Sequence, residues 1–532
     1  MRLSWQGLQD KQSWEKIGVV LPKYDWREVC DVTAKSPVWI HFGAGNIFRG
    51  FIAGLQSRLL DEGLADKGII AAETFDCEII DKIYRPHDSM TLMVSLKPDG
   101  TTDKSVIASI TQGVKADERE KLRGIFTNPS LQMVSYTITE KGYALRDING
   151  DLLNAVKSDI EAGPGNPHHA MSITASLLYE RFKAGAFPIA VVSMDNCSHN
   201  GEKLRASVIE IANEWEKRGH VGKNFIEWIS DESKVSFPWS MIDKITPRPA
   251  DSVKDELIAL GIEDMETVIT SKHTYIAPFV NAEVPQYLVI EDSFPNGRPA
   301  LEKAGVYMTD RDTVNKTERM KVTTCLNPLH TALAVYGCLL GYTKIADEMT
   351  DPELKILVER IGYTEGLPVV TDPGIINPRA FIDEVITQRL PNPFMPDTPQ
   401  RIATDTSQKI PVRFGETLKS YEADPKLSPS SLVAIPLVIA GWLRYLLGVD
   451  DDGKAMQVSP DPMLPELQSV LSSLRLGEPE GADRALDLIL DNKNLFGVSL
   501  KEIGLSEKVT EMFKELMSGP GAVRETLKKY LR

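Results

Sequence analysis

Cysteine is scarce in this chain. Five occur in 532 residues, Cys30, Cys77, Cys197, Cys325 and Cys338, widely spaced and odd in number. They form no C-x-x-C pair, which leaves neither a zinc knuckle nor a disulfide framework to be read. Long apolar runs are missing as well. No stretch reaches about 18 apolar residues, so no membrane span is expected. The opening MRLSWQGLQDKQSW lacks the apolar centre of a secretory signal. Basic residues are outnumbered, 60 Lys and Arg against 75 Asp and Glu, for a net charge of −15. That balance disfavours a general binder of nucleic acid or of anionic membranes. The expectation is a cytoplasmic monomer or small homo-oligomer acting on a small molecule. An acidic surface can still hold a basic pocket, so an anionic substrate stays open.

What is present is globular: 42% hydrophobic and 25% charged residues. The length exceeds one ordinary core, so two or three domains are expected. In the first half, short apolar runs alternate with amphipathic stretches. VWIHF at 38–42, GIIAA at 68–72, MVSYTI at 133–138, PIAVVS at 188–193 and LVI at 288–290 read as buried strands of a parallel sheet. Residues 51–62 and 170–184 read as helices between them. The alternation predicts an α/β fold, a Rossmann-type doubly wound sheet. Beyond about residue 310 the periodicity turns helical, at 329–340, 351–361, 432–447, 463–474 and 509–517. A boundary near Thr309 follows, with a nucleotide-binding domain at 1–308 and a mostly α-helical substrate and catalytic domain at 309–532. The proline-rich 390–399 reads as a loop.

The run VWIHFGAGNIFRG places glycines directly after a strand and before a helix. Gly43 and Gly45 supply two positions of a dinucleotide fingerprint: one permits the tight turn, the other close approach of a pyrophosphate to backbone N–H groups. The third glycine is absent, and Phe48 stands there. Glu73 lies 28 residues after Gly45, at the end of the second strand run, where a carboxylate accepts from ribose hydroxyls and repels a 2′-phosphate. NAD is therefore favoured over NADP, with Asp76 a competing acceptor. Asn46 and Ile47, just after the glycines, and Thr139 and Glu140, after the third strand run, complete the candidate cofactor set.

Seven segments then agree in order: GAGNIFRG, SYTITEKGY (135–143), VVSMDNCSHNG (191–201), FPWSMIDKITP (237–247), LVIEDSF with GRPALEKAGV (288–306), TERMKVTTCLNPLH (317–330) and RIATDTSQKIP (401–411). Together they resemble the mannitol dehydrogenase family of polyol-specific long-chain dehydrogenases, which includes fructuronate and tagaturonate reductases. The likeness runs from about residue 39 to 411.

The resemblance implies a metal-independent, NAD-dependent secondary-alcohol dehydrogenase. The lysine of its E-x-x-K segment falls on Lys321, as general acid/base, with Glu318 beside it. Its D-N asparagine falls on Asn196, and a second asparagine followed by histidine on Asn327 and His330. An arginine and a lysine eight apart, which contact substrate in the family, fall on Arg401 and Lys409. Asp243 falls in the active-site wall. Such residues suit ketone reduction: amide donors from Asn196 and Asn327 stabilise charge on the carbonyl oxygen, and an ammonium donates the proton that follows hydride transfer. Lys321 and Asn327 stand six apart where the family pattern has five. On a helix the extra residue would rotate Asn327 by about 100°, unless a bulge or loop absorbs it.

The preferred reaction is reduction of a keto-uronate, D-fructuronate to D-mannonate. Lys244, Arg248, Arg401, Lys409 and Arg413 would suit its carboxylate. Mannitol or arabinitol dehydrogenation, tagaturonate reduction and a non-catalytic NAD-binding role are the alternatives. The pair His168–His169 reads as a loop or helix start, and Cys197 as a small buried filler.

Overall fold

A computed structural model describes residues 1–532. The chain forms two compact units, one of Met1–Leu96 with Thr101–Asn315, the other of Lys97–Gly100 with Lys316–Arg532.

The first unit is built on six parallel strands: β1 (Trp39–Phe42), β2 (Ile69–Glu73), β3 (Ile110–Lys115), β4 (Met133–Tyr136), β5 (Ile189–Ser193) and β6 (Val235–Ser236). Their order across the sheet is β3-β2-β1-β4-β5-β6, with the reversal between β1 and β4 that defines a Rossmann-type sheet. Alternation along the strands sends side chains to two separate cores. Ile40, Phe42, Val134, Tyr136 and Val191 join one, while Trp39, Ala71, Met133, Ala190 and Val192 join the other. Both faces are therefore covered, which is why β1, β2, β4 and β5 read as unbroken apolar runs. The one polar residue of β1, His41, is satisfied by the hydroxyls of Ser135 (2.7 Å) and Thr137 (2.8 Å) and stacks on Phe48.

One expected strand lies elsewhere. Residues 288–290 belong to Tyr287–Glu291, which pairs antiparallel with Ser240–Asp243 and parallel with Tyr307–Thr309 in a separate three-stranded sheet. Its apolar run fits either environment, because Leu288 and Ile290 face the same core as β1's Trp39. A further sheet of Val19–Val20, Thr102–Ile107, Thr91–Leu96 and Phe279–Glu283 also flanks this unit.

The second unit is helical. Its centre is Ala434–Tyr445, all of whose residues are buried. Three consecutive N–H groups at its start, of Val433, Ala434 and Ile435, donate to the Glu365 carboxylate at 2.7–2.9 Å. That carboxylate caps the helix where its first amides lack partners. Asn327–Leu339 and Ser506–Leu516 pack against it. Pro352–Glu359 and Leu464–Leu471 account for two more of the helical stretches. No helix of the chain is long and apolar enough to cross a membrane.

Candidate active site

The glycine turn leaves β1 and enters a helix at Asn46, whose path includes a π-helical turn at Phe48–Ile52 before the regular Ala53–Asp61. Gly43 has φ +106°, and a Cβ there would collide with the Thr137 carbonyl. Only glycine fits. At Gly45 a Cβ would meet nothing within 4 Å, so nothing in the chain itself demands glycine there. The space beside it is a cavity of about 580 Å³ lined by Gly43, Gly45, Glu73, Asp76, Thr139 and His169 among others. The third fingerprint glycine, missing at Phe48, has a counterpart at Gly50, where a Cβ would come 2.7 Å from Val280. The close approach needed for helix packing is thus displaced by two residues.

Glu73 and Asp76 both face this cavity, with different duties. The Glu73 carboxylate accepts from Ala44 N–H (2.8 Å), Thr74 N–H (2.9 Å) and Phe75 N–H (2.8 Å), tying the end of β2 to the glycine turn. Asp76 accepts from Thr270 Oγ1 at 2.6 Å through one oxygen, while its Oδ1 is buried with no partner. That orphaned oxygen, the open side of Gly45 and the helix start are what a dinucleotide's ribose and pyrophosphate require, so the residues present fit NAD. Thr139 adopts φ +64°, rare for a β-branched residue, and donates its N–H to Asp195 (3.0 Å). Glu140 pairs with Lys203 at the surface, and the Asn46 amide reaches the Pro247 carbonyl at 3.4 Å. Neither Asn46, Ile47 nor Glu140 lines the cavity. His169 caps the helix Ala170–Gly185, its Nδ1 accepting from Met171 N–H.

Asn196 lies in the loop after β5, and Asp243 ends its strand in a buried position. Two residues that the motifs did not single out organise these segments. The Asp195 carboxylate accepts from the Ile138 and Thr139 amides and from Tyr143 Oη (2.6 Å). Asn200, almost wholly buried, donates to the carbonyls of Asp195 and Ser240. The loops carrying Thr139, Asn196 and Asp243 are thereby joined into one frame. The only sequence signal is their place within the VVSMDNCSHNG segment, since neither spacing nor residue type sets Asp195 or Asn200 apart. Lys244 and Arg248 serve locally, the ammonium donating to the Glu283 carbonyl (2.6 Å) and the guanidinium lying 4.3 Å from the Tyr275 ring centre.

In the second unit, Lys321 is buried and opens a π-helical turn, Lys321–Cys325. Leu326 N–H closes that turn on the Lys321 carbonyl at 3.1 Å. Leu326 then leaves helical geometry (φ −131°, ψ −60°), and Asn327 starts a new helix with Pro328 in its first turn. A π turn holds one residue more than an α turn, so the one extra residue in the step from lysine to asparagine is taken up locally. Asn327, His330 and Thr331, spaced i, i+3 and i+4, share a face of Asn327–Leu339. The carboxamide of Asn327 makes no hydrogen bond within the chain.

Several charged side chains surround His330. Burial first, and then Arg413, Arg401 and Arg389, lower its pKa to about 4, against an opposing pull from Asp397 at 3.5 Å. The imidazole is accordingly neutral at neutral pH. Arg401 pairs with Asp397. Lys409 donates to the carbonyls of Ile402 (3.1 Å) and Thr404, and burial with Arg413 and Arg401 lowers its pKa. Arg413 donates Nη1 to Thr331 Oγ1 at 2.6 Å and reaches the Asn327 carbonyl at 3.5 Å.

Sequence comparison places this geometry. The mannitol dehydrogenase Rossmann domain matches residues 38–303, and the mannitol dehydrogenase C-terminal domain matches 313–517. The D-mannonate oxidoreductase of Thermotoga maritima is 57% identical over 535 residues, covering 99% of each chain. This chain belongs to the mannitol dehydrogenase family. Two solved structures share its fold along nearly the whole length. A D-sorbitol dehydrogenase in substrate-free form has TM-score 0.79, 26% identity and coverage of 95% of this chain and 97% of its own. The mannitol 2-dehydrogenase of Pseudomonas fluorescens, a ternary complex with NAD and D-mannitol, has TM-score 0.71, 26% identity and coverage of 100% and 99%. Membership in the family accounts for the Rossmann-type sheet and the helical unit together. No group of three or more His, Cys, Asp or Glu side chains is arranged to hold a metal ion.

Proposed function

We propose that this chain is an NAD-dependent oxidoreductase that interconverts a six-carbon keto-uronate and its aldonate, D-fructuronate and D-mannonate. Residues 1–308 serve the cofactor and 309–532 the substrate and the proton, in a cytoplasmic monomer or small homo-oligomer that takes no nucleic acid. The observation that carries the substrate class is Arg413, whose guanidinium lies on the helix face of His330 and pairs with no carboxylate. A neutral polyol brings no charge to such a cation, whereas a sugar acid does. The 57% identity to a D-mannonate oxidoreductase supports the same reading.

NADH, when bound beside Gly43, Gly45, Glu73, Asp76 and Thr139, supplies the hydride. Glu73 and Asp76 together disfavour a 2′-phosphate there, which selects NAD. As the ketone carbon is reduced, negative charge grows on its oxygen. Asn196 and Asn327 donate amide N–H bonds to that oxygen, and the Lys321 ammonium transfers a proton to it, giving the secondary alcohol. In the reverse direction neutral Lys321 takes the alcohol proton. His330, neutral at working pH, Asp243 and Lys409 orient the hydroxyl-bearing chain, while Arg401 holds Asp397 beside the imidazole. A non-catalytic role drew its support from the six-residue Lys321–Asn327 spacing, and the π turn removes that objection.

Following NADH absorbance across D-fructuronate, D-tagaturonate, D-fructose and xylulose tests the proposal. D-Fructuronate is expected to be turned over fastest. Faster oxidation with D-fructose would put the enzyme among the polyol dehydrogenases, and NADH binding without any turnover would favour the non-catalytic role.

A further inference from the structure

The substrate carboxylate needs a cation with hydrogen-bonding capacity to spare. Arg389 is buried and already partnered, and the other cations near His330 differ sharply in what they have left. Arg401 is already paired with Asp397 and more than half exposed. Lys409 has spent two of its protons on the Ile402 and Thr404 carbonyls. Arg413 is different. Only its Nη1 is engaged, on Thr331 Oγ1 and towards the Asn327 carbonyl, and no carboxylate pairs with it. Burial alone lowers its pKa, to about 10, so it keeps its charge at neutral pH. A half-buried guanidinium without an anion is open to one, and an incoming carboxylate would pair with it.

Its position suits the task. Thr331 and Asn327 anchor Nη1, so the fork is fixed to the helix face that also presents His330. The remaining Nε–H and Nη2–H groups form a side-on pair of parallel donors, the geometry that matches a carboxylate. We infer that Arg413, rather than Arg401 or Lys409, holds the carboxylate of the sugar acid and sets the preference for acids over neutral sugars. This rests on the keto-uronate reading above. In D-fructuronate the carboxylate lies four carbons from the ketone, so a single extended chain would place one end at Arg413 and its ketone at the groups that reduce it. Arg401 then acts through Asp397, holding that carboxylate beside the imidazole, and is a positioning residue.

The test is calorimetric binding of D-mannonate and of D-mannitol to NADH-loaded enzyme, for the unsubstituted protein and for Arg413→Gln, Arg413→Lys and Arg401→Gln. The ratio of the two dissociation constants is expected to shift towards mannitol by about 100-fold or more in Arg413→Gln. Arg413→Lys, which keeps the charge and can still reach Thr331, is expected to shift it by about tenfold, since the fork is lost. Arg401→Gln is expected to move the ratio by less than about threefold. Parallel weakening of both ligands in the two Arg413 variants would show a merely structural role and overturn the inference. A larger shift in Arg401→Gln than in Arg413→Gln would overturn it too. Failure of the underlying reading looks different: the unsubstituted enzyme would itself show no preference for mannonate and would not oxidise NADH with D-fructuronate.

Discussion

Gly43 and Gly45 stand two residues apart, yet their replacement should fail in different ways. Gly43 holds a left-handed φ against the Thr137 carbonyl, so alanine there strains the backbone of β1's exit. Gly45 faces open space, and a methyl group there meets only what binds. Gly43→Ala is expected to lower the melting temperature by several degrees. Gly45→Ala should leave it unchanged while weakening NADH about tenfold or more. Thermal melts and fluorescence titration separate the two, and a stable Gly45→Ala with full NADH affinity would move the pyrophosphate elsewhere. A second residue-scale expectation concerns Glu348. Its carboxyl is buried with neither oxygen hydrogen-bonded, lodged where Gly337 of the long helix leaves room. Burial, with Asp351 and Asp347 adding to it, pushes its pKa up to about 10. The native state thus holds this proton more tightly than the unfolded chain does. Stability is lost as pH rises from the ordinary carboxyl range towards 10. Glu348→Gln should be near neutral at pH 5 and stabilise by roughly 1–3 kcal/mol at pH 8. Equal effects at both pH values would contradict the assignment.

At the scale of elements, the π turn at Lys321–Cys325 decides how the lysine and Asn327 are both kept in place. If it absorbs one surplus residue, deleting Val322 lets the turn relax to α geometry and should cost less than about tenfold in kcat. A second residue inserted after Val322 has no turn to enter and should cost about 100-fold or more. Steady-state kinetics of both variants checks this, and equal losses would mean that the turn is not an accommodating bulge. The same segment shows where sequence reading stops. The six-residue spacing was visible, but whether it rotated Asn327 or bulged depended on Leu326 abandoning helical dihedrals. The four central strands were legible because burial on both faces makes them continuous apolar runs. Ile110–Lys115 was not, since ITQGVK is an edge strand with polar residues and a glycine. Phe279–Glu283 hid in the same way: Asn281 and Glu283 are buried there, satisfied by the Ala250 and Ile245 amides. Residues 288–290 were legible as a strand, yet their sheet was not, because an apolar triplet carries no information about its partner.

Across the whole molecule, a chain of net charge −15 still gathers Arg413, Arg401 and Arg389 near His330. Composition reports the first and is silent on the second, because charge concentrated in a pocket is set by tertiary packing. Site chemistry was legible as a set of residue types in order; which donors remain free was not, as Arg401 and Arg413 are the same residue type and differ only in what surrounds them. The glycine turn belongs to the first unit, and Lys321, Asn327 and His330 to the second. Everything then rests on the Lys321 ammonium supplying the proton. The most direct measurement is single-turnover reduction of D-fructuronate by NADH-loaded Lys321→Ala beside the unsubstituted enzyme. The expected result is a rate lower by about 10³-fold or more, with NADH affinity within about threefold. A rate within about tenfold of the unsubstituted enzyme would contradict the assignment of Lys321 as the acid.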